Sequence, residues 1–158
     1  MEHDHHESHA AHSTSLNSTS LSATLHCLTG CAIGEVLGMI ISTALSWSAA
    51  PSIAISVVLA FFFGYALSVR PILRHGLPFR KAARVAFASD TASIATMEIT
   101  DNAFILLVPG AIHAGLGTTL FWWSLLVSLF VAFWVAFPVN RYLIARGKGH
   151  AVVHQYHS

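Results

Sequence analysis

The chain has 158 residues, of which 54% are hydrophobic and only 9% are charged, and its formal net charge is +1. Soluble domains carry about 25% charged residues, so this composition excludes an ordinary soluble fold and indicates an integral membrane protein. No phosphate-binding glycine loop, zinc-protease helix or nucleophile elbow occurs, so we expect no enzymatic activity. The central basic loop is short and lies next to the membrane, which favours contact with lipid headgroups and not with nucleic acid.

A polar tail and four apolar segments follow one another along the chain. Residues 1–24 contain five histidines and a Ser/Thr-rich stretch, a composition that cannot bury a core and predicts a disordered tail. The predicted fold is an all-α integral membrane protein. Its four-transmembrane-helix bundle occupies residues 25–142, and a C-terminal tail follows at residues 143–158. The predicted spans cover about residues 25–47, 52–69, 87–110 and 116–139.

The basic residues predict the topology. All eight Lys and Arg residues fall in two clusters, five from Arg70 to Arg84 and three from Arg141 to Lys148. Basic residues favour the cytoplasmic side of a membrane, and four spans place both clusters and both termini on that side. Three spans would separate the clusters, so four fit better. A re-entrant or interfacial third segment is the alternative, because that segment is polar.

The third segment carries most of the acids inside the predicted spans. At 100° per residue, Asp90, Ser93, Met97, Glu98 and Asp101 share one helical face, which we expect to point into the bundle. Because no span contains Lys or Arg, these carboxyls must be protonated and hydrogen-bonded, meet a histidine, or bind a cation. We interpret Asp90, Ser93 and Asp101 as intramembrane polar or proton-binding positions. For Asp90 the alternative is an interfacial or ordinary polar residue near the entrance of the span, and for Glu35 and Glu98 it is a structural polar network.

The first span opens with the run HCLTGCAIGEVLG at residues 26–38. Within it, Gly30, Gly34 and Gly38 repeat at four-residue spacing. Such a row of small residues lets another helix approach closely, either in the same chain or in a homodimer. The polar side chains of this run fall largely on one broad helical face, because neighbours three or four positions apart stack on a helix.

Imidazole, thiolate and thioether groups in these two segments are ligands that select copper(I) or zinc. We predict a transition-metal site between the first and third spans, formed by His26, Cys27, Cys31, Glu35, Met97 and Glu98. The two glutamates lie about ten residues into their helices, which places both near the middle of the bilayer. The alternative is that the sulfur-containing residues only fill the core.

The run at residues 26–38, together with DTASIATMEITDN at residues 90–102, resembles a bacterial membrane family described only as a domain of unknown function. The resemblance extends over residues 24–145. It implies a small multi-pass domain of the bacterial inner membrane, and the charge clusters would then make both termini cytoplasmic. It implies no established substrate or mechanism.

Three functions remain open at this point, and the lipid bilayer is the partner common to all of them. The first is binding or handling of copper or zinc, and transport of the ion through so narrow a bundle would need a homodimer. The second is proton- or cation-coupled transport of another small solute, in which the acids matter and the thiols do not. The third is a non-catalytic assembly or scaffold subunit, whose polar groups only hold helices together.

Overall fold

The described part of the chain forms four α-helices. The structure is a computed structural model. It describes residues 4–146 except 75 and 77, and it describes the backbone but not the side chains of residues 4–15, 71, 72, 85 and 89. The helices are α1 (Asp4–Ala44), α2 (Ala49–Arg74), α3 (Phe79–Leu107) and α4 (Thr119–Ala145), and a 3-10 turn at Ala111–His113 precedes α4. Over these residues there is no β-strand.

The first helix begins earlier than the composition predicts. The sequence predicts disorder over residues 1–24, but α1 runs unbroken from Asp4 to Ala44. Ser20 and Thr24 donate hydrogen bonds to carbonyl oxygens one turn earlier and are fully buried. These hydroxyls are satisfied inside the helix, so the Ser/Thr-rich stretch can be helical and packed. Residues 1–3, and the predicted C-terminal tail from residue 147 onward, lie outside the described residues.

Among the described residues, three helices are long and apolar enough to cross a membrane. They are Leu16–Ala44 within α1, Ala49–Arg70 within α2, and Thr119–Ala145, which is the whole of α4. These lengths and compositions indicate a multi-pass membrane protein. The charged residues of α3 keep it out of this group, although its 29 residues correspond to a length of about 44 Å.

Short connections make consecutive helices antiparallel. α1 packs along α2, α3 lies against α2 and α4, and α4 closes the bundle against α1. At this closing contact Asn140 donates to the Thr24 hydroxyl, and Arg141 donates to the Asn17 side chain, both at 2.8 Å. The carboxyl end of α4 therefore lies beside the first half of α1.

The two ends of this bundle differ in charge. The end of α2, the start of α3 and the end of α4 meet at one end, called here the basic end, and they carry Arg70, Arg74, Arg80, Lys81, Arg84, Arg141 and Arg146. The connections at the opposite end, residues 45–48 and 108–118, contain no Asp, Glu, Lys or Arg. We call this the neutral end. The antiparallel order of the helices produces the asymmetry.

The glycine row of α1 faces α2 in the same chain. A Cβ atom added at Gly30 would lie 2.6 Å from the Cα atom of Gly64, and one added at Gly34 or Gly38 would overlap atoms of α2. Only a residue without a side chain fits at such distances. The row thus serves a contact within the chain, and this contact does not require the predicted homodimer.

Candidate functional site

The polar face of α3 points into the bundle. Its residues are at most 4% exposed, and they are Asp90, Ser93, Met97, Glu98 and Asp101. The opposite face presents apolar side chains outward, including Ile99 and Leu107. This distribution keeps the acids of α3 inside the bundle and its apolar side chains on the outside.

Three buried carboxyls lie in the interior of the bundle, nearer the neutral end than the basic end, and we call Glu35, Glu98 and Asp101 the carboxylate cluster. Their side chains are close enough to interact electrostatically. Ser56 of α2 lies beside Glu35, and Ser128 of α4 lies beside Asp101, so all four helices contribute to this region. Among the described residues, Glu35 Oε1 and both oxygens of the other two carboxyls have no hydrogen-bond partner.

The carboxylate cluster has no basic counter-charge at its level of the bundle. The chain contains no Lys or Arg before Arg70, and none between Arg84 and Arg141. Burying several carboxylates without a partner costs several kcal/mol per charge. A cluster of this kind therefore calls for bound protons or a bound cation.

The two thiols extend the polar interior from the carboxylate cluster toward the basic end. Cys27 and Cys31 are free, are each 1% exposed, and pack in one core cluster with Met97. Cys31 lies beside Glu98, and Cys27 lies beside Ser93. The thiols therefore lie beside polar side chains of α3 and within the apolar core.

The six predicted metal ligands do not come together. His26 is exposed, and its Nδ1 atom lies 2.7 Å from the backbone oxygen of Ser22, so it stands apart from the buried Cys27 next to it in sequence. One position along a helix corresponds to a rotation of 100°, which explains the separation. Within the part of the chain that the structure describes, no three His, Cys, Asp or Glu side chains form a group that could hold a metal ion.

A cavity of about 460 Å³ lies between the carboxylate cluster and the neutral end, and we call it the neutral-end cavity. Glu35 lines its inner part, while Trp47 and His113 belong to the connections that form its outer part. Its volume is within the range of about 300–1,000 Å³ that is typical of small-molecule sites.

Sequence reasoning missed this cavity and the serines around it. Its wall combines the end of α1, the start of α2, the end of α3, the connection before α4 and the start of α4, which only a three-dimensional arrangement brings together. The available signal was the serine-rich stretch Ser46, Ser48, Ser52 and Ser56, whose hydroxyls repeat at two- and four-residue intervals. All four of these serines line the cavity.

Buried polar side chains also continue on the other side of the thiols. Asp90 lies close enough to Cys27 to interact with it electrostatically, and Thr24, one turn earlier on α1, accepts the hydrogen bond from Asn140. Ser20 lies one further turn toward the basic end and is fully buried. The interior thus offers a series of polar groups from the neutral-end cavity to the basic end.

Comparison with known proteins gives one match. The profile of a family described as a domain of unknown function (DUF4396) matches residues 17–149. Neither a curated protein nor a solved structure matches the chain. The matched range contains the carboxylate cluster, both thiols and every residue that lines the neutral-end cavity.

Proposed function

This chain belongs to the family of unknown function DUF4396, and we propose that it is a four-span inner-membrane transporter that couples proton movement to a small solute. The observation that carries the proposal is the carboxylate cluster, which is buried in the bundle without a basic partner at its level. Acids in such positions are typical of proton relays and ion pathways. Protons would bind to the cluster and leave it during each transport cycle.

The proposal makes α3 the fourth span. Its helix continues without a break from Phe79 to Leu107, carries its acids inward and exposes Ile99 and Leu107. Four spans would also keep all basic residues on the cytoplasmic side, as the distribution of charge in membrane proteins favours. The basic end and both termini would then be cytoplasmic, and the neutral end would face outward.

Access to the carboxylate cluster from the neutral end supports transport. A solute or proton from the neutral end would enter the neutral-end cavity and reach Glu35 first. Glu98 and Asp101 lie next, and the groups around Cys27 and Asp90 continue toward the basic end. The packed core around the thiols separates the cavity from the basic end, so the structure has the form of a site open toward one side.

Proton movement can be measured in proteoliposomes that contain a pH-sensitive dye and carry an imposed pH gradient. Purified protein should dissipate the gradient, and Glu98→Gln and Asp101→Asn should each slow this by about 100-fold or more, as loss of a proton-transferring group does. Thr96→Val is the matched control, because its hydroxyl only donates to a backbone oxygen of α3. Unchanged rates in both acid variants would contradict the proposal and favour a scaffold subunit.

Handling of copper or zinc remains a second candidate function, favoured by one observation. Cys27 and Cys31 lie one helical turn apart, and Met97 packs in the same core cluster, so three soft sulfur donors are neighbours. Elemental analysis of protein lacking residues 1–12, which hold five histidines, should find about one metal ion per chain. The Cys27→Ser/Cys31→Ser protein should lose it. If the protein holds no metal after loading, the thiols only pack in the core and bind no metal.

A further inference from the structure

We propose that the neutral-end cavity binds a small organic ammonium ion, with Glu35 as its counter-charge. The inference rests on the proposed function, because such a cation would be the solute exchanged for protons. It adds a ligand class and a place for that ligand. The charge of the wall, its hydrogen-bonding groups and its apolar surface each support this ligand class.

The charge of the cavity wall favours a cation. Glu35 is the one acid among the lining residues, is 9% exposed, and has an Oε1 atom without a hydrogen-bond partner in the described part of the chain. No Lys or Arg lines the cavity, and the connections at the neutral end contain neither. A single buried carboxylate in such a wall attracts a positive charge and repels an anion.

Several polar side chains of the wall already donate a proton to a backbone oxygen. Ser42 donates its hydroxyl proton to Gly38 at 2.7 Å, and Ser52 donates to Ser48 at 2.8 Å. Asn102 directs its amide toward the backbone oxygen of Glu98 at 2.9 Å. The oxygens of these side chains keep lone pairs that can accept hydrogen bonds. A ligand with several N–H donors, such as a primary ammonium group, can donate to these oxygens.

The remaining wall is apolar and partly aromatic. Met39, Ile105 and Leu125 line the cavity beside Phe121 and Trp47. A hydrated metal ion would gain little from these side chains, whereas the carbon body of an organic ammonium ion would pack against them. Aromatic faces also attract organic cations. The ligand class is therefore a singly charged amine with an apolar body.

The first test uses isothermal titration calorimetry on the full-length protein in nanodiscs. Phenethylammonium should bind saturably, whereas the neutral 3-phenylpropan-1-ol and the anionic 3-phenylpropionate should not. Glu35→Gln should weaken phenethylammonium binding by roughly 10- to 100-fold, as loss of a charged hydrogen-bond partner does. Thr96→Val, outside the cavity, should bind as the natural chain does. Equal binding of the alcohol, or unchanged binding by Glu35→Gln, would overturn the proposal.

A second measurement keeps the carboxylate intact. Ser52 lines the cavity, and both natural thiols are 1% exposed, so maleimide labelling of a Ser52→Cys protein reports on the cavity alone. Phenethylammonium should slow this labelling, and the neutral alcohol should not. Equal labelling in the presence and absence of phenethylammonium would overturn the proposal.

The two proposals can fail separately. Absence of amine binding, with proton movement that still depends on Glu98 and Asp101, would overturn the ammonium site and leave proton transport standing. Amine binding that depends on Glu35, without any proton movement in proteoliposomes, would support the ammonium site and overturn the transport proposal.

Discussion

Glu98 occupies a position that stability alone does not explain. It is 4% exposed, and neither of its oxygens has a hydrogen-bond partner among the described residues. Replacing an unsatisfied buried polar group by an apolar group of similar shape removes a cost of about 1–3 kcal/mol. Glu98→Met should therefore raise the Tm by a few degrees in differential scanning fluorimetry and still abolish proton movement.

The opposite result for Glu98→Met would assign the residue a structural role. A Tm several degrees lower than that of the natural chain would mean that the carboxyl holds the helices together. Thr96→Val again serves as the control, since it removes a hydroxyl from the same helix at a position outside the carboxylate cluster.

The burial of Cys27 and Cys31 predicts a chemical property. Both are 1% exposed, so a maleimide should react with neither in the folded protein and with both after denaturation in SDS. Mass spectrometry of the labelled protein measures this directly. Ser48→Cys, at an exposed position of the neutral end, should label rapidly as the positive control. Rapid labelling of the natural thiols would reveal a water-filled path to them.

At the scale of single residues, helical periodicity located the buried face of α3 because Asp90, Ser93, Met97 and Asp101 recur at three- and four-residue intervals. It could not find Ser56 or Ser128, since their proximity to Glu35 and Asp101 depends on which helices pack together. His26 was assigned to the metal site from its residue type, but its rotation about the α1 axis places it outside.

At the scale of elements, the contact between α1 and α2 depends on the missing side chains of the glycine row. A Cβ atom at Gly34 would overlap the backbone of Ala60, so Gly34→Ala should destabilise the bundle by about 1–3 kcal/mol, as overpacking does. Gly115→Ala is the control, because nothing lies within 4 Å of the added atom. Thermal unfolding followed by circular dichroism compares the two. Equal Tm values would contradict the close contact.

The helix order was predictable from hydropathy, while the ends of the helices were not. The first span was predicted from residue 25, but α1 is already helical and buried at Ser20 and Thr24, whose hydroxyls bond within their own helix. The third was predicted from residue 87, but α3 begins at Phe79, directly after Pro78. Composition counts such Ser and Thr side chains as polar, although their hydroxyls are hydrogen-bonded within their own helix.

At the scale of the whole molecule, the position of the connections predicts a topology that reporter fusions can test. If α3 crosses the membrane, a phosphatase fused after Gly115 should be active outside, and fusions after Gly76 or Arg146 should remain cytoplasmic. If α3 does not cross, the fusions after Gly76 and Gly115 would report the same side.

The neutral-end cavity also determines where the membrane voltage acts. It reaches Glu35, which lies about 14 Å from the end of α1 at 1.5 Å per residue. If the cavity carries the potential of the outer solution inward, most of the voltage falls between Glu35 and the basic end. Each charge that crosses this interval then gains or loses about 2.3 kcal/mol per 100 mV. Proton release toward the basic end should therefore depend steeply on voltage, whereas the entry of a cation into the cavity should hardly sense it.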